Sequence, residues 1–239
     1  MEVIGYIAAL FVGISLGLTG GGGSILTVPV LVYLFGISPV VSTSYSLFVV
    51  GSSSLVGALN NYFKGFVRIK TALLFGLSSI TTVFLTRKFL IPLIPHNIAR
   101  VDGVNITQPV LTMVLFAVLM LMAGGSMISS RRGRPEKTGG KKVDVPKLLS
   151  FGFLIGIATG LLGAGGGFLL IPALVLLVHL PMKEAVGTSL FIIALNSLIG
   201  FTGDLGHFEI RWLFLFKVTS IAIAGTFIGM LIGKKIQGE

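Results

Sequence analysis

Nine apolar runs make up most of this chain, at about 3–18, 24–36, 40–62, 69–94, 109–130, 147–162, 168–180, 184–203 and 211–233. Hydrophobic residues are 54% of the 239 and charged residues only 11%. Such a chain must satisfy its backbone without water, and in lipid only helices and closed barrels do so. The runs are unbroken rather than alternating, which argues against a barrel. They predict an all-α integral membrane protein of about eight to nine membrane segments. The opening "MEVIGYIAALFVGISLG" lacks a basic n-region and a small-residue cleavage site, so it reads as a mature transmembrane helix rather than a signal peptide.

Four of the runs are uncomfortably short, and they flank two glycine clusters: "GLTGGGGSILTVP" at 17–29 and "GLLGAGGGFLLIP" at 160–172. A run such as 24–36 covers only about 20 Å as a helix, against a hydrocarbon core of about 30 Å. Consecutive glycines cost a helix about 1 kcal/mol each. The clusters therefore predict chain breaks below the membrane surface, with short helices starting near Ser24 and Phe168. Close helix packing is the competing explanation for glycines in lipid. It is favoured for Gly13, Gly17, Gly156 and Gly160, whereas a break is favoured for 20–23 and 165–167. Pro29 and Pro172 lie inside the short helices, where each removes one backbone bond and acts as a hinge.

The clusters belong to an internal duplication. Sliding 13–61 by 143 positions leaves about 18 of 49 residues identical. Beyond that stretch "GFVRIK" (65–70) resembles "GHFEIR" (206–211) after a two-residue deletion, which sets Lys217 opposite Gly76. The chain divides into an N-terminal transmembrane repeat (1–130), a basic linker (131–146) and a C-terminal transmembrane repeat (147–239). Seven of the 18 lysines and arginines fall in 131–147, which places that stretch in the cytoplasm. Counting segments from there puts the N-terminus outside and the C-terminus inside. Five segments separate the starts of the two repeats, so the repeats face opposite ways. Inverted repeats with broken helices meeting near the midplane are an architecture of secondary transporters.

The breaks suggest their guest. Each helix start exposes backbone N–H groups and about half a positive charge, and glycine lets an anion approach. The expected substrate site is Thr19, Gly20, Gly21, Gly22, Gly23 and Ser24 from the first break, with Gly163, Ala164, Gly165, Gly166 and Gly167 from the second. Hydroxyls beside them add Ser44, Tyr45, Ser46, Thr188 and Ser189. Asn196 reads equally as a ligand or as a link between helices. Asp204 could carry a proton, although an interfacial cap explains it as well. Lys217 could attract an anion or reach to the outer face. Glu184 at a helix start is explained by the helix dipole, and Arg87 and Lys88 are expected to reach out to the interface. The net charge of +10 reads as a topology signal and an attraction to anionic lipid rather than as a nucleic-acid site. With no cysteine and three scattered histidines (His96, His179, His207), no metal site or cofactor is expected. No phosphate-loop motif for ATP is present.

On these residues the chain resembles the sulfite exporter TauE/SafE family. The resemblance is carried by "GLTGGGGSILTVPVLVYLFGISPVVSTSYSLF", by "GLLGAGGGFLLIPALVLLVHLPMKEAVGTSLF", and by the loop after each. Ser24 stands where the pattern's last glycine falls, and "STSYS" replaces the "GTS" kept at Gly187–Ser189. The resemblance implies a transporter of sulfite or small organosulfur anions in the bacterial or archaeal inner membrane, with export driven by protons. A passive anion channel, an uptake permease for carboxylates or sulfonates, and a scaffold whose glycines only pack helices are the alternatives. The oligomeric state stays open, a homodimer among the options.

Overall fold

The computed structural model describes residues 2–93, 97–101, 104–107, 110–115, 117–118, 121, 125, 145–163 and 165–236. Helix α1 spans Glu2–Thr19. After the first glycine cluster α2 begins as a 3-10 helix (Gly22–Leu26), passes through an α turn (Thr27–Pro29) and ends as a π turn (Val30–Leu34). Pro29 brings no N–H to the ladder and its ring crowds the preceding turn, and the widened turn follows it directly. Helices α3 (Pro39–Phe63) and α4 (Ile69–Leu85) come next, and α4 runs on through a π turn (Thr86–Leu90) to Leu93. A hairpin of β1 (Asn97–Val101) and β2 (Val104–Thr107) follows. It is a local departure from the all-α expectation. The second half has α5 (Val145–Leu162), α6 (Gly167–Leu177), α7 (Met182–Asp204) and α8 (Trp212–Ile236). The predicted run 109–130 falls largely outside the described residues, as does the linker 131–146 apart from its last two.

Small residues set how the helices run. A Cβ on Gly13 would meet the carbonyl of Ala222, one on Gly17 that of Thr226, and one on Gly225 that of Leu10. Helices α1 and α8 therefore touch backbone to backbone and run parallel. Gly152, Gly156 and Gly160 similarly meet Phe75, Ser79 and Thr86, so α5 and α4 are parallel too. The packing role expected for Gly13, Gly17, Gly156 and Gly160 is what these helices show. Helices α3 and α7 form the buried centre and run antiparallel, Gly51 against Leu198, Gly57 against Leu190 and Gly200 against Leu47.

Many of these contacts come in pairs offset by 143. Gly57 meets Leu190 while Gly200 meets Leu47, and Gly13 meets Ala222 while Gly156 meets Ser79. The hydroxyl of Thr188 accepts from the Arg68 N–H, and that of Tyr45 accepts from the Arg211 N–H. Arg68 and Arg211 are themselves 143 apart, and so are Ser79 and Ala222. This corrects the expected two-residue deletion: the offset continues unbroken through the loop, and Lys217 stands opposite Leu74, not Gly76.

Around this centre α1, α4 and α8 turn apolar faces outward, including Ile7, Phe11, Leu73, Leu77, Leu213 and Leu231. Such faces suit a lipid solvent. Among the described residues five helices are long and apolar enough to cross a membrane.

Candidate functional site

The two glycine clusters meet. A Cβ on Gly21 would lie 2.9 Å from the Gly167 Cα, and one on Gly167 would lie 2.7 Å from the Gly21 Cα. Both also press on the Ile193 δ-carbon, while Gly165 presses on Val50 and Ile193. Val50 and Ile193 lie near the middle of α3 and α7, so the junction sits at mid-height of the buried helix pair. Positive φ makes glycine necessary here: φ is +72° at Gly20 and +148° at Gly21, and +67°, +66° and +68° at Gly163, Gly165 and Gly166. A side chain at these positions would be strained, and one at Gly21 would also push the two turns apart.

From the junction α2 and α6 start with their positive ends toward the centre. Gly22 opens α2 and Gly21 caps it. Ser24, near the expected helix start, lies inside the 3-10 turn, and its hydroxyl donates back to the Gly21 carbonyl at 2.7 Å. Helix α6 starts at Gly167 with Gly166 as its cap, within a residue of the expected Phe168. Gly23 folds against Val12 and Leu16, and Phe35 covers Gly5, so α2 returns along α1. Ala164 lies outside the described residues.

The hydroxyls fall into two groups. Some are structural fasteners. Ser189 donates to the Gly20 carbonyl (3.0 Å) and to Val186, tying the first turn to α7. Thr188 accepts from the Arg68 N–H, closing the α3–α4 loop. Thr19 is exposed, and its hydroxyl donates to Ser15, away from the junction. Others are buried without a partner among the described residues: Thr27, Ser44, Ser46, Ser53, Ser54, Thr159 and Ser197, together with the Asn196 amide nitrogen. Asn196 accepts from Ser79 through its oxygen at 3.0 Å. Ser53 and Ser54 lie one turn beyond Val50 on α3; Asn196 and Ser197 lie one turn beyond Ile193 on the antiparallel α7. The unpaired groups thus flank the junction on both sides. The Ser197 oxygen lies 3.0 Å from where a Cβ on Gly165 would be. A buried donor left without an acceptor costs about 1–3 kcal/mol, so a guest rich in oxygens has matched groups to meet.

Two charge expectations are corrected. Arg87 does not reach the interface: its side chain is 1% exposed, and Nη1 donates to Asp204 Oδ2 at 3.0 Å and to the Thr43 hydroxyl at 3.1 Å. Asp204, read as an interfacial cap, is its buried partner at 4%. The π turn Thr86–Leu90 shifts the ladder where Arg87 must point inward. Under the 143-residue offset Arg87 stands opposite Met230, so nothing in the other half marks it in the sequence. Lys88 is exposed beside the Phe84 and Phe89 rings. Lys217 is exposed on α8, away from the junction. Pro29 and Pro172 lie in α2 and α6 beyond the turns. At the opposite end from Arg87, Glu184 in the first turn of α7 accepts both Arg68 Nε (2.6 Å) and Nη2 (2.8 Å). These bonds raise the Arg68 pKa above its ordinary value. Glu184 thus has a partner besides the helix dipole. Among the described residues no group of acidic, histidine or cysteine side chains could hold a metal.

With this geometry in view, residues 5–239 match the family described as Sulfite exporter TauE/SafE. The chain belongs to the sulfite exporter TauE/SafE family. A Xylella fastidiosa (strain Temecula1) relative named "Probable membrane transporter protein" is 30% identical over 231 residues, covering 95% of this chain and 83% of its own. A Bacillus subtilis (strain 168) relative named "Probable membrane transporter protein YunE" is 27% identical over 254 residues, covering 98% and 89%. No solved structure matches the chain. This TauE/SafE protein is a multi-pass helical membrane protein.

Proposed function

We propose that this TauE/SafE protein is a secondary active transporter of small sulfur oxyanions, sulfite or organic sulfonates, across the inner membrane. The observation that carries the reading is the junction of Gly21 with Gly167, where two helix N-termini converge at mid-height between buried, unpaired hydroxyls. Convergent positive helix ends favour a negative guest, and the hydroxyls supply donors for its oxygens. The family's description and the relatives' transporter names support the same reading.

The two halves act as inverted repeats. The support is that α3 and α7, equivalent under the 143-residue offset, lie side by side and antiparallel. Alternating access then follows as a rocking of one half against the other about the junction. The N-terminus and the α7–α8 loop lie outside; the α3–α4 loop, the α7 start and the C-terminus lie in the cytoplasm, where lysine and arginine concentrate. Transport is export coupled to protons, and Asp204, a buried carboxylate, is the candidate carrier of the proton.

Reconstituted protein tests this. Sulfite or methanesulfonate flux should saturate, respond to a pH gradient, and vanish in Gly22→Leu/Gly165→Leu protein that still melts cooperatively. Flux in that folded variant equal to wild type would remove the site. Flux that never saturates and ignores the gradient would assign a channel instead.

A further inference from the structure

Arg87 is a buried cation only half used. Its Nη1 holds Asp204 and Thr43, whereas Nε and Nη2 are buried without a partner among the described residues. Those two nitrogens form one edge of the guanidinium, and that edge presents two parallel N–H bonds, the geometry that grips two oxygens of one anion. The guanidinium is joined to the second glycine turn through one residue: Thr43, which accepts from Nη1, also places its carbonyl against Gly163.

The repeat shows that this pair is not needed for packing. Under the 143-residue offset Arg87 corresponds to Met230 and Asp204 to Asn61. There the first half's Asn60 amide approaches the Met230 sulfur at 3.1 Å, with no ion pair. The equivalent helix contact is therefore made without charge on one side and with a buried charge pair on the other. Burying a guanidinium is costly even when paired, and apolar replacements of such pairs are often neutral for stability. A fastening role explains neither the choice of arginine nor its open edge.

We infer that Arg87 binds the transported anion. Nε and Nη2 take two of its oxygens side by side, and Asp204 and Thr43 are positioning residues that fix the guanidinium through Nη1. The site lies near the starts of α3 and α8, joined through Thr43 to the second glycine turn, so it serves one end of the pathway and not the other. Its chemistry selects anions with two or more terminal oxygens, such as sulfite, sulfonates and carboxylates. The inference rests on the transporter reading and adds a binding residue to it.

The test uses the full chain in proteoliposomes with radiolabelled sulfite. Arg87→Lys keeps the charge but cannot present two parallel donors; its KM should rise about tenfold or more, with a melting temperature near that of wild type when no anion is present. Arg87→Gln/Asp204→Asn removes the charges together, so no lone buried ion remains, and it should lose both saturable flux and stabilisation by sulfite. A KM within twofold of wild type in Arg87→Lys protein, or full sulfite stabilisation of the folded double variant, overturns the role of Arg87 alone. Should the double variant not fold, the Arg87→Lys KM decides. Absence of saturable flux and of anion stabilisation in the wild type overturns the transporter reading itself.

Discussion

Ser189 and Ser46 occupy equivalent positions but do different work. Ser189 spends its hydroxyl on the Gly20 and Val186 carbonyls, while Ser46 is buried with its hydroxyl unpaired. Ser189→Ala should therefore loosen the first turn, costing about 1 kcal/mol and about 2–4 °C in the thermal melt of purified protein. Ser46→Ala removes an unpaired group, so its melt should hold while anion stabilisation falls. Asp204→Asn leaves the buried Arg87 without its ion-pair partner, so it should lower the thermal midpoint, weaken sulfite flux and abolish the accompanying proton movement, read with a pH dye inside the vesicles. The sequence told the glycines and these hydroxyls apart from their surroundings because the repeat marks them twice. It did not reveal Arg87, which has no equivalent charge in the other half and so cannot be found by matching halves. Nor could it separate fasteners from free groups, since Ser, Thr and Asn serve either use and only the partner atom decides.

Helices were legible at their ends as well as their middles. Most limits fall within about three residues of the apolar runs, because the interruptions are runs of glycine, proline at a helix start and clustered charge, rather than the isolated glycines that these helices carry inside. What the runs could not show is which neighbour each helix takes. That information lies in spaced glycines: Gly13 and Gly17 fit α8, and Gly156 and Gly160 fit α4. Substituting Gly13→Val or Gly156→Val would drive a branched side chain into the Ala222 or Ser79 carbonyl. Each should cost about 1–3 kcal/mol by overpacking, seen as a lower midpoint of thermal unfolding in detergent. The same change at Gly76, which has only the Ile80 δ-carbon at 3.7 Å, should be mild by comparison. The register slip at the "GFVRIK" loop shows the limit of pattern matching. Similar letters two places apart outweighed the spacing, whereas the paired Arg68–Thr188 and Arg211–Tyr45 bonds fix the true offset through geometry.

At the scale of the whole molecule, direction follows from the contacts taken together. Helices α1 and α8 are parallel, α4 and α5 are parallel, and α3 and α7 are antiparallel. With α2 returning along α1, the start of α1 and the start of α3 share one end, and the Arg68–Glu184 pair marks the other. An even arrangement of this kind leaves just two options in a membrane, and the lysines and arginines choose between them. The natural chain has no cysteine, so single cysteines report without a background. Ser38→Cys and His207→Cys, both at exposed positions, should react with an impermeant maleimide added to whole cells. Lys64→Cys and Lys183→Cys, exposed at the opposite end, should react only after the membrane is opened. Ser38→Cys and Lys64→Cys labelling from the same side would break the inverted arrangement, because a single helix, α3, separates them. Reversal of all four together would keep the arrangement and turn the protein over, which moves Arg87 and Asp204 from the outer to the cytoplasmic end of the pathway and with them the side from which an anion first meets a fixed positive charge.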